Sequence, residues 1–304
     1  MLVSFIVTVF NKEHIILETL ECLVNQKLPI DTSIEIICVD DKSTDKSIEL
    51  IKQFSTNYPN VFLVENIANK GPSFSINRAA NYAHGDYFIP IDADDLIPNN
   101  HLATLLNIAL REKADFVIGK SIRTNGLPEL ITIEPNFQQY KGTKSLDFIV
   151  KKKLCHMGFL VSSSLWKSAS GAFEKVFIQD QSLPMRLAHK ASCMVFINHH
   201  IYYLSPRTEE NLSSNTNQQH HDRFFSALDM LENKDLSNDS IFGLKGKIIS
   251  SIWKCYRDRF KWRALFSQPF FIYVSNKVFK TTYNDNLQKK WECFFKNLEN
   301  VRRM

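Results

Sequence analysis

The chain has 304 residues, 44% of them hydrophobic, with 37 Lys and Arg against 32 Asp and Glu for a formal net charge of +5, which excludes a disordered protein and leaves room for one large domain or two ordinary ones. No apolar run approaches the roughly 18 residues that span a bilayer, and Leu2 to Phe10 lacks a basic leader and a small-residue cleavage site, so a cytoplasmic, non-spanning chain is expected. Cys22, Cys38, Cys155, Cys193, Cys255 and Cys293 stand singly, without the paired spacing of a zinc site or disulfide framework, and are expected to be reduced.

From the N-terminus, Val3 to Val9 reads as a strand and Glu13 to Asn25 as a helix, with Ile16, Leu20, Leu23 and Val24 at helical spacing. The alternation continues: Ile34 to Val39 then Ser43 to Phe54, Val61 to Val64 then Pro72 to Ala83, Tyr87 to Ile91 then Asn99 to Arg111, and a fifth strand from Phe116 to Gly119. Continuous apolar strands alternating with helices predict an α/β fold, a mostly parallel sheet covered on both faces. After Gly119 the pattern loosens. Helices are predicted near Thr143 to Lys153, Ser163 to Ser170 and Asp180 to His189, a strand over Met194 to Ser205, and a polar loop over Arg207 to Gln219.

The C-terminal part is basic: residues 243–304 carry 14 Lys and Arg against 4 Asp and Glu, a local charge of +10. Aromatic residues recur there, from Trp253, Phe260, Trp262 and Phe266 to Phe279, Trp291 and Phe295. Two readings stand side by side. The aromatics form the core of a helical subdomain, or they adsorb with the cations to an anionic membrane. No nucleic-acid-binding motif accompanies the charge, so nucleic acid is not expected as a partner.

In a parallel sheet ligands sit outside the carboxyl ends of the strands. Those ends carry Thr8-Val9-Phe10-Asn11, Asp40-Asp41 and Asp92-Ala93-Asp94-Asp95. Five carboxylates converging on one rim need a cation or a set of donors to neutralise them. A divalent ion such as Mg²⁺ or Mn²⁺ suits the Asp-x-Asp spacing, which points residues 92 and 94 to the same side if the strand stays extended. The plainer role for Asp at such turns is to cap the following helix, and Asp45 is the strongest case for it.

Taken together, Val3-Ser4-Phe5-Ile6-Val7-Thr8-Val9-Phe10-Asn11-Lys12, Ile36-Ile37-Cys38-Val39-Asp40-Asp41-Lys42-Ser43-Thr44-Asp45, Asn69-Lys70-Gly71-Pro72 and Gly85 to Asp95 resemble the family 2 glycosyltransferases of GT-A fold, over about residues 1 to 205. That resemblance implies a nucleotide-sugar-binding part (1–119), an acceptor-side part (120–215) and, outside it, a basic aromatic helical extension (216–304). It implies that Thr8 and Asp41 contact the uracil of a UDP-sugar, that Phe10 and Asn11 belong to the same pocket, that Asp92 and Ala93 lie along the ribose and phosphates, and that Asp94 ligates Mn²⁺ or Mg²⁺. Lys70 and Arg207 are candidate diphosphate contacts, since cationic side chains match phosphate oxygens. The chain departs from the family pattern at Thr8 (usually proline), Lys42 (usually glycine) and Ile76 (commonly arginine), with an arginine displaced to Arg78. A neighbouring helical position points roughly 100° away, so Arg78 is not expected to take over the missing role.

An inverting transfer needs a group that takes the proton of the acceptor hydroxyl. Gly171 to Leu183 resembles the family's Gly-Gly-Phe-Asp/Glu stretch and its Glu-Asp pair, with Gln179 in place of the glutamate, which makes Asp180 the candidate base; capping the helix through His189 is its plainer role. Loss of a like charge at 179 predicts a lower Asp180 pKa than in the usual pair. His199, His200, His220 and His221 are read as core or surface histidines, with a metal ligand as the alternative. The expected function is a metal-dependent inverting transfer from a UDP-sugar to a glycan or lipid-linked acceptor of a surface polysaccharide such as lipopolysaccharide or capsule; the alternative is a non-catalytic protein that binds nucleotide sugar or glycan. The tail is left with three positions: on its own domain, on a second copy in a homodimer, or on the inner face of the membrane.

Overall fold

A computed structural model describes residues 1–124, 128–131, 137–206, 215–299 and 301–302. Its first half is a run of strand–helix units: β1 (Leu2–Val9), α1 (Ile16–Val24), β2 (Ser33–Asp40), α2 (Ser47–Asn57), β3 (Val61–Glu65), α3 (Pro72–Tyr82), β4 (Tyr87–Asp92) and α4 (His101–Glu112). In β1, Val3, Phe5, Ile6, Val7 and Val9 are all buried, because helices cover both faces of the sheet and an alternating pattern would leave polar side chains in the core. Parallel pairing runs β3-β2-β1-β4, with Val9 beside Asp40 and Thr8 beside Asp92. The carboxyl ends of β1, β2 and β4 are therefore level, and their acidic residues share one rim.

The second half is mixed. β5 runs over Phe116–Arg123, beyond the expected end at Gly119, followed by β6 (Phe137–Tyr140), α5 (Thr143–Lys152), β7 (Leu160–Ser162), α6 (Ser163–Ser168), α7 (Leu183–Lys190) and β8 (Met194–Leu204). The eight-stranded order is β3-β2-β1-β4-β7-β5-β8-β6, with β7 antiparallel to both β4 and β5, β8 parallel to β5, and β6 antiparallel to β8. Neither β6 nor β7 was expected: three or four residues are too few to show a period, and Gln138 and Gln139 make β6 half polar.

Two expectations near the chain's middle are corrected. The helix predicted from Asp180 to His189 is broken into a 3₁₀ turn over Gln179–Gln181 and α7, with Pro184 in the first turn of α7, where a missing N–H costs nothing. Asp180 therefore does not cap that helix. The polar loop expected to reach Gln219 ends earlier, because Asn215 caps a helix by accepting from the Gln218 N–H (3.0 Å), and Thr216 to Gln219 are already helical.

The C-terminal segment folds as α8 (Thr216–Leu231), α9 (Asn238–Phe260), a 3₁₀ segment Lys261–Phe266, α10 (Gln268–Phe279) and α11 (Asp285–Lys296). It packs on the rest of the chain. Arg186 of α7 pairs with Asp229 of α8 at 2.6 Å, and Asp147 of α5 accepts from Ser237 and Ser240 at the start of α9. Phe224 stacks on Phe295, and Trp291 and Tyr283 meet edge to face, all four buried. All six cysteines are free, and among the described residues no helix is long and apolar enough to cross a membrane.

Candidate active site

The carboxylate run leaves β4 as a tight turn. The Asp95 N–H donates to the Asp92 carbonyl (3.0 Å), the Ala93 N–H to the Thr8 carbonyl (3.3 Å), and the buried Thr19 hydroxyl to the Ala93 carbonyl (3.0 Å). Asp92 and Asp94 thus do not share one side of an extended strand, as the spacing suggested; the turn gives each carboxylate its own environment. Asp92 Oδ1 accepts from the Thr8 hydroxyl (3.3 Å) and from the Gln179 amide (2.6 Å), and Asp94 Oδ2 pairs with Lys12 Nζ at 2.6 Å. Asp95 is buried and accepts from the Ser205 N–H (2.8 Å).

Burial, then the neighbouring Asp95 and Asp94 charges, holds the Asp92 carboxyl well above the ordinary range. Burial and Asp94 push Asp95 up to about 7. Tyr202 of β8 backs the turn: its hydroxyl accepts the Asp92 N–H (3.0 Å) and bonds Asp95. Its ring fits only because residue 158 is glycine. Gly158 has φ +72, and a Cβ there would stand 2.1 Å from the Tyr202 ring.

On the β2 side, Asp41 is buried and accepts three hydrogen bonds, from the Asn66 amide (2.8 Å), the Lys70 N–H (2.8 Å) and the Gly71 N–H (2.7 Å). It ties down the loop that leads into α3. Gly71, at φ +83, lies so close to Phe177 that a Cβ would come within 2.6 Å of its ring. Asp40 accepts from the Ser43 N–H (2.8 Å), and burial raises its carboxyl pKa. Asp45 accepts from Ser47 N–H (3.0 Å) at the head of α2 and from Glu13 N–H (2.9 Å), so it bridges two loops, while the cap position of α2 itself is Lys46 and not Asp45.

The opposite wall is held by two residues that do not themselves line the cavity. Asn77 of α3 accepts from the Ala172 N–H (2.8 Å) and donates to the Ala172 carbonyl and to Glu174 (both 2.9 Å). Asp222 of α8, fully buried, accepts from the N–H groups of Phe177 (2.9 Å) and Ile178 (2.7 Å), and its other oxygen is held by Gln218 (2.8 Å) and His221 (2.7 Å). These bonds deliver Gln179 and Asp180 to face the 92–95 turn. Asp180 is pushed up to about 6 by burial, against the opposing pull of Arg223. Gln179 contributes no like charge beside it, and desolvation by itself is enough to raise the carboxyl above the ordinary range.

Between the two walls lies a cavity of about 220 Å³. Of the residues singled out from sequence, Thr8, Phe10, Asp41, Asp92, Ala93, Asp94 and Asp180 line it. Asn11 and Lys70 do not. Asn11, at φ +51, accepts from the Thr44 N–H (2.8 Å) and braces the β1 and β2 ends, while Lys70 contributes its backbone to Asp41 and leaves its side chain exposed. Arg207 lies outside the described residues. Arg78 turns away to the Glu65 carbonyl (2.9 Å) and to Asn66, and Ile76 is core. None of His199, His200, His220 and His221 lines the cavity; His220 meets Asp258 (3.1 Å) and His221 meets Asp222.

Sequence reasoning missed Lys12, Arg123, Gln179 as a lining residue, Gln219 and Arg302. Lys12 was within reach, since it directly follows a strand-end motif. Arg302 was not: it arrives from the C-terminal end of the chain, its guanidinium 5.3 Å from the Phe177 ring, and no local pattern marks it. The lining therefore has acidic and cationic sides, which suits a ligand carrying both a phosphate chain and a metal ion.

The donor set can be tested against a divalent cation. Among the described residues no group of three or more His, Cys, Asp or Glu could hold a metal by itself. Mg²⁺ typically uses one or two carboxylates and takes its remaining oxygens from substrate phosphates and water. Asp94 fits that pattern, with its side chain 19% exposed toward the cavity and already compensated by a cation, the Lys12 ammonium.

Comparison with known proteins converges on one family. The sequence model of glycosyl transferase family 2 matches residues 4–171. The poly(ribitol-phosphate) beta-glucosyltransferase of Bacillus spizizenii is 33% identical over 221 residues, 70% of this chain and 34% of that protein, so the chain spans about a third of this curated relative's length. Among solved structures, S. aureus TarS 1-349 in complex with UDP-GlcNAc superposes with a TM-score of 0.67 at 21% identity, covering 84% of this chain and 81% of that one. The mannosyltransferase PcManGT from Pyrobaculum calidifontis, in complex with GDP-Man and Mn²⁺, gives a TM-score of 0.60 at 15% identity, covering 97% of this chain and 84% of that one. At these identities the two structures establish the shared fold.

Proposed function

The chain belongs to glycosyl transferase family 2, and from that premise we propose that it transfers a sugar from a UDP-sugar to a hydroxyl of a cell-envelope polymer, with inversion at the anomeric carbon. The observation that carries this reading is the cavity itself, in which the Asp92–Asp95 turn and Asp180 face each other from opposite walls. The acceptor class rests on the beta-glucosyltransferase relative, whose named substrate is a poly(ribitol phosphate); lipopolysaccharide and capsule chains fall in the same broad class. The fold neighbour with UDP-GlcNAc supports a UDP-sugar as donor.

The chain's own residues divide the work. Asp41 spends three of its roughly four acceptor sites on the loop before α3, leaving one for the uracil N3–H, with Thr8 and Phe10 beside it. Lys12 and Arg302 present positive charge to the diphosphate. Asp180, as carboxylate, takes the proton of the acceptor hydroxyl while that oxygen bonds to the anomeric carbon and the bond to UDP breaks on the opposite face. Mn²⁺ or Mg²⁺, when held by Asp94, stabilises the charge that develops on the leaving diphosphate. The segment 1–119 is the donor part and 120–215 the acceptor part in this reading, with α8 bracing the base.

A thermal-shift panel of nucleoside diphosphates with and without Mn²⁺ tests the donor site, because a ligand bound only by the folded state adds about 2.7 kcal/mol at 100 times its Kd. A UDP shift that grows with Mn²⁺ and disappears in Asp94→Ala supports the reading, and a larger shift with GDP overturns the donor assignment. Sugar transfer from a UDP-sugar to added poly(ribitol phosphate) separates an enzyme from a protein that only binds the donor.

A further inference from the structure

We propose that the face formed by the 3₁₀ segment Lys261–Phe266 and the outer side of α10 docks on an anionic lipid surface. The C-terminal aromatics divide into two groups. Trp253, Tyr283, Trp291 and Phe295 are buried and serve as core, whereas Trp262 (67% exposed), Phe266 (76%), Phe271 (60%) and Phe279 (74%) stand in solvent. On α10 the outward apolar positions are Phe271, Val274 and Val278, spaced i, i+3 and i+7, which puts them on one stripe of the helix; Asn276 and Pro269 lie on its buried side. Trp262 and Phe266 meet edge to face at 6.4 Å on the 3₁₀ segment that leads directly into α10.

Charge decides what the face is for. Residues 259–284 contain Arg259, Lys261, Arg263, Lys277 and Lys280 and no Asp or Glu. The cations sit against the aromatics: the Arg259 guanidinium is 5.8 Å from the Phe260 ring and that of Arg263 is 5.7 Å from the Trp262 ring. A protein–protein interface favours aromatics and arginine but disfavours lysine at its core, and three of these five cations are lysine. An apolar stripe interleaved with cations alone is instead the pattern of a surface that sinks aromatic rings into the acyl boundary while Lys and Arg meet anionic headgroups. None of these residues lines the cavity, so the face and the donor site can be altered separately.

Flotation of the full chain with phosphatidylglycerol–phosphatidylcholine vesicles tests the proposal. The wild-type chain is expected to float with these vesicles, to lose most of that binding in high salt, and to stay unbound with phosphatidylcholine alone. The exposed triple substitution Trp262→Ser, Phe266→Ser, Phe279→Ser, and separately Lys261→Glu with Lys280→Glu, should each lower the bound fraction at least about tenfold while the UDP thermal shift is unchanged. Equal flotation of wild type and both variants, or no flotation of the wild type, overturns the proposal. A concentration-dependent dimer that the triple variant dissociates, without lipid binding by the wild type, overturns it too and assigns the face to a second copy of the chain.

Discussion

The side-chain amide of Gln179 donates to Oδ1 of Asp92 at 2.6 Å, joining residues 87 apart in sequence and closing the gap between the two walls of the cavity. The pair explains why an amide at 179 suits this chain: Asp92 already has Asp94, Asp95 and Asp180 as like-charged neighbours, and a donor relieves them where a carboxylate would add a fourth. Gln179→Glu should therefore destabilise the fold by about 1–3 kcal/mol at neutral pH. A carboxyl pair at this spacing shares a proton at low pH, so the penalty should grow as pH rises and shrink toward pH 5. Thermal melts of both proteins across that range check it, and a constant difference would refute the assignment.

Asp94 and Lys12 form an ion pair at 2.6 Å, so if Asp94 holds the divalent ion as proposed, the ammonium and the metal compete for one carboxylate. Lys12→Met should tighten Mn²⁺ binding several-fold, measured as loss of free Mn²⁺ signal by electron paramagnetic resonance without nucleotide, where the diphosphate contact proposed for Lys12 plays no part. Asp94→Ala should abolish that binding and, on the proposed function, cut turnover at least about 100-fold. Weaker Mn²⁺ binding in Lys12→Met would show that the lysine supports the metal site instead of opposing it.

On the proposed function Asp180 is the base and must be ionised to act, and burial pushes its pKa up to about 6. Transfer activity should fall as pH drops through about 6, about two units above an ordinary aspartate. The stability sign is the reverse of a salt-bridged carboxylate: the folded pKa lies above the unfolded one, so ionised Asp180 costs stability above about pH 6, and the cost vanishes below the unfolded value. Asp180→Asn should be at least about 100-fold less active and yet melt higher than wild type at pH 7.5, with the two melting points converging near pH 4. An inactive variant that melts lower at pH 7.5 would mean that Asp180 is held by its cationic neighbours more firmly than burial disfavours it.

Asp222 holds the backbone of Phe177 and Ile178 from α8 and does not itself line the cavity. Asp222→Ala leaves two buried N–H groups without an acceptor and should cost about 3 kcal/mol or more in urea unfolding. Asp222→Asn keeps one acceptor oxygen and should cost less. In that milder variant kcat should fall and KM for the UDP-sugar should rise with it, because the disturbed segment carries Asp180 and also Phe177, Ile178 and Gln179, which line the same cavity.

Gly158→Ala places a methyl group 2.1 Å from the Tyr202 ring at a positive φ. Both effects act against folding, so a loss of about 2 kcal/mol or more is expected, together with a weaker UDP thermal shift as Tyr202 moves off the Asp92–Asp95 turn. A normal UDP shift in the destabilised variant would show that the turn keeps its shape without Tyr202.

The sequence by itself determined the parallel half of the sheet and the acidic rim. Buried strands flanked by amphipathic helices need continuous apolar runs such as Val3 to Val9 and Ile36 to Val39, and the chain writes them plainly. The polar residues that end those runs then fall at the carboxyl edge, so Asp41 and Asp92 to Asp94 could be named from one dimension. Tertiary structure decided everything that depends on partners distant in sequence. Only folding brings Lys12 to Asp94, Gln179 to Asp92, Asp222 to the 177–178 backbone and Arg302 to the cavity. It also raised the carboxyl of Asp180 above the ordinary range, since desolvation depends on the whole surrounding shell. In the C-terminal helices, composition announced aromatics and cations together, but helical period alone does not say which stripe faces a core. Packing of α8, α9 and α11 answered that, burying Trp291 and Phe295 and leaving Trp262, Phe266 and Phe279 in solvent.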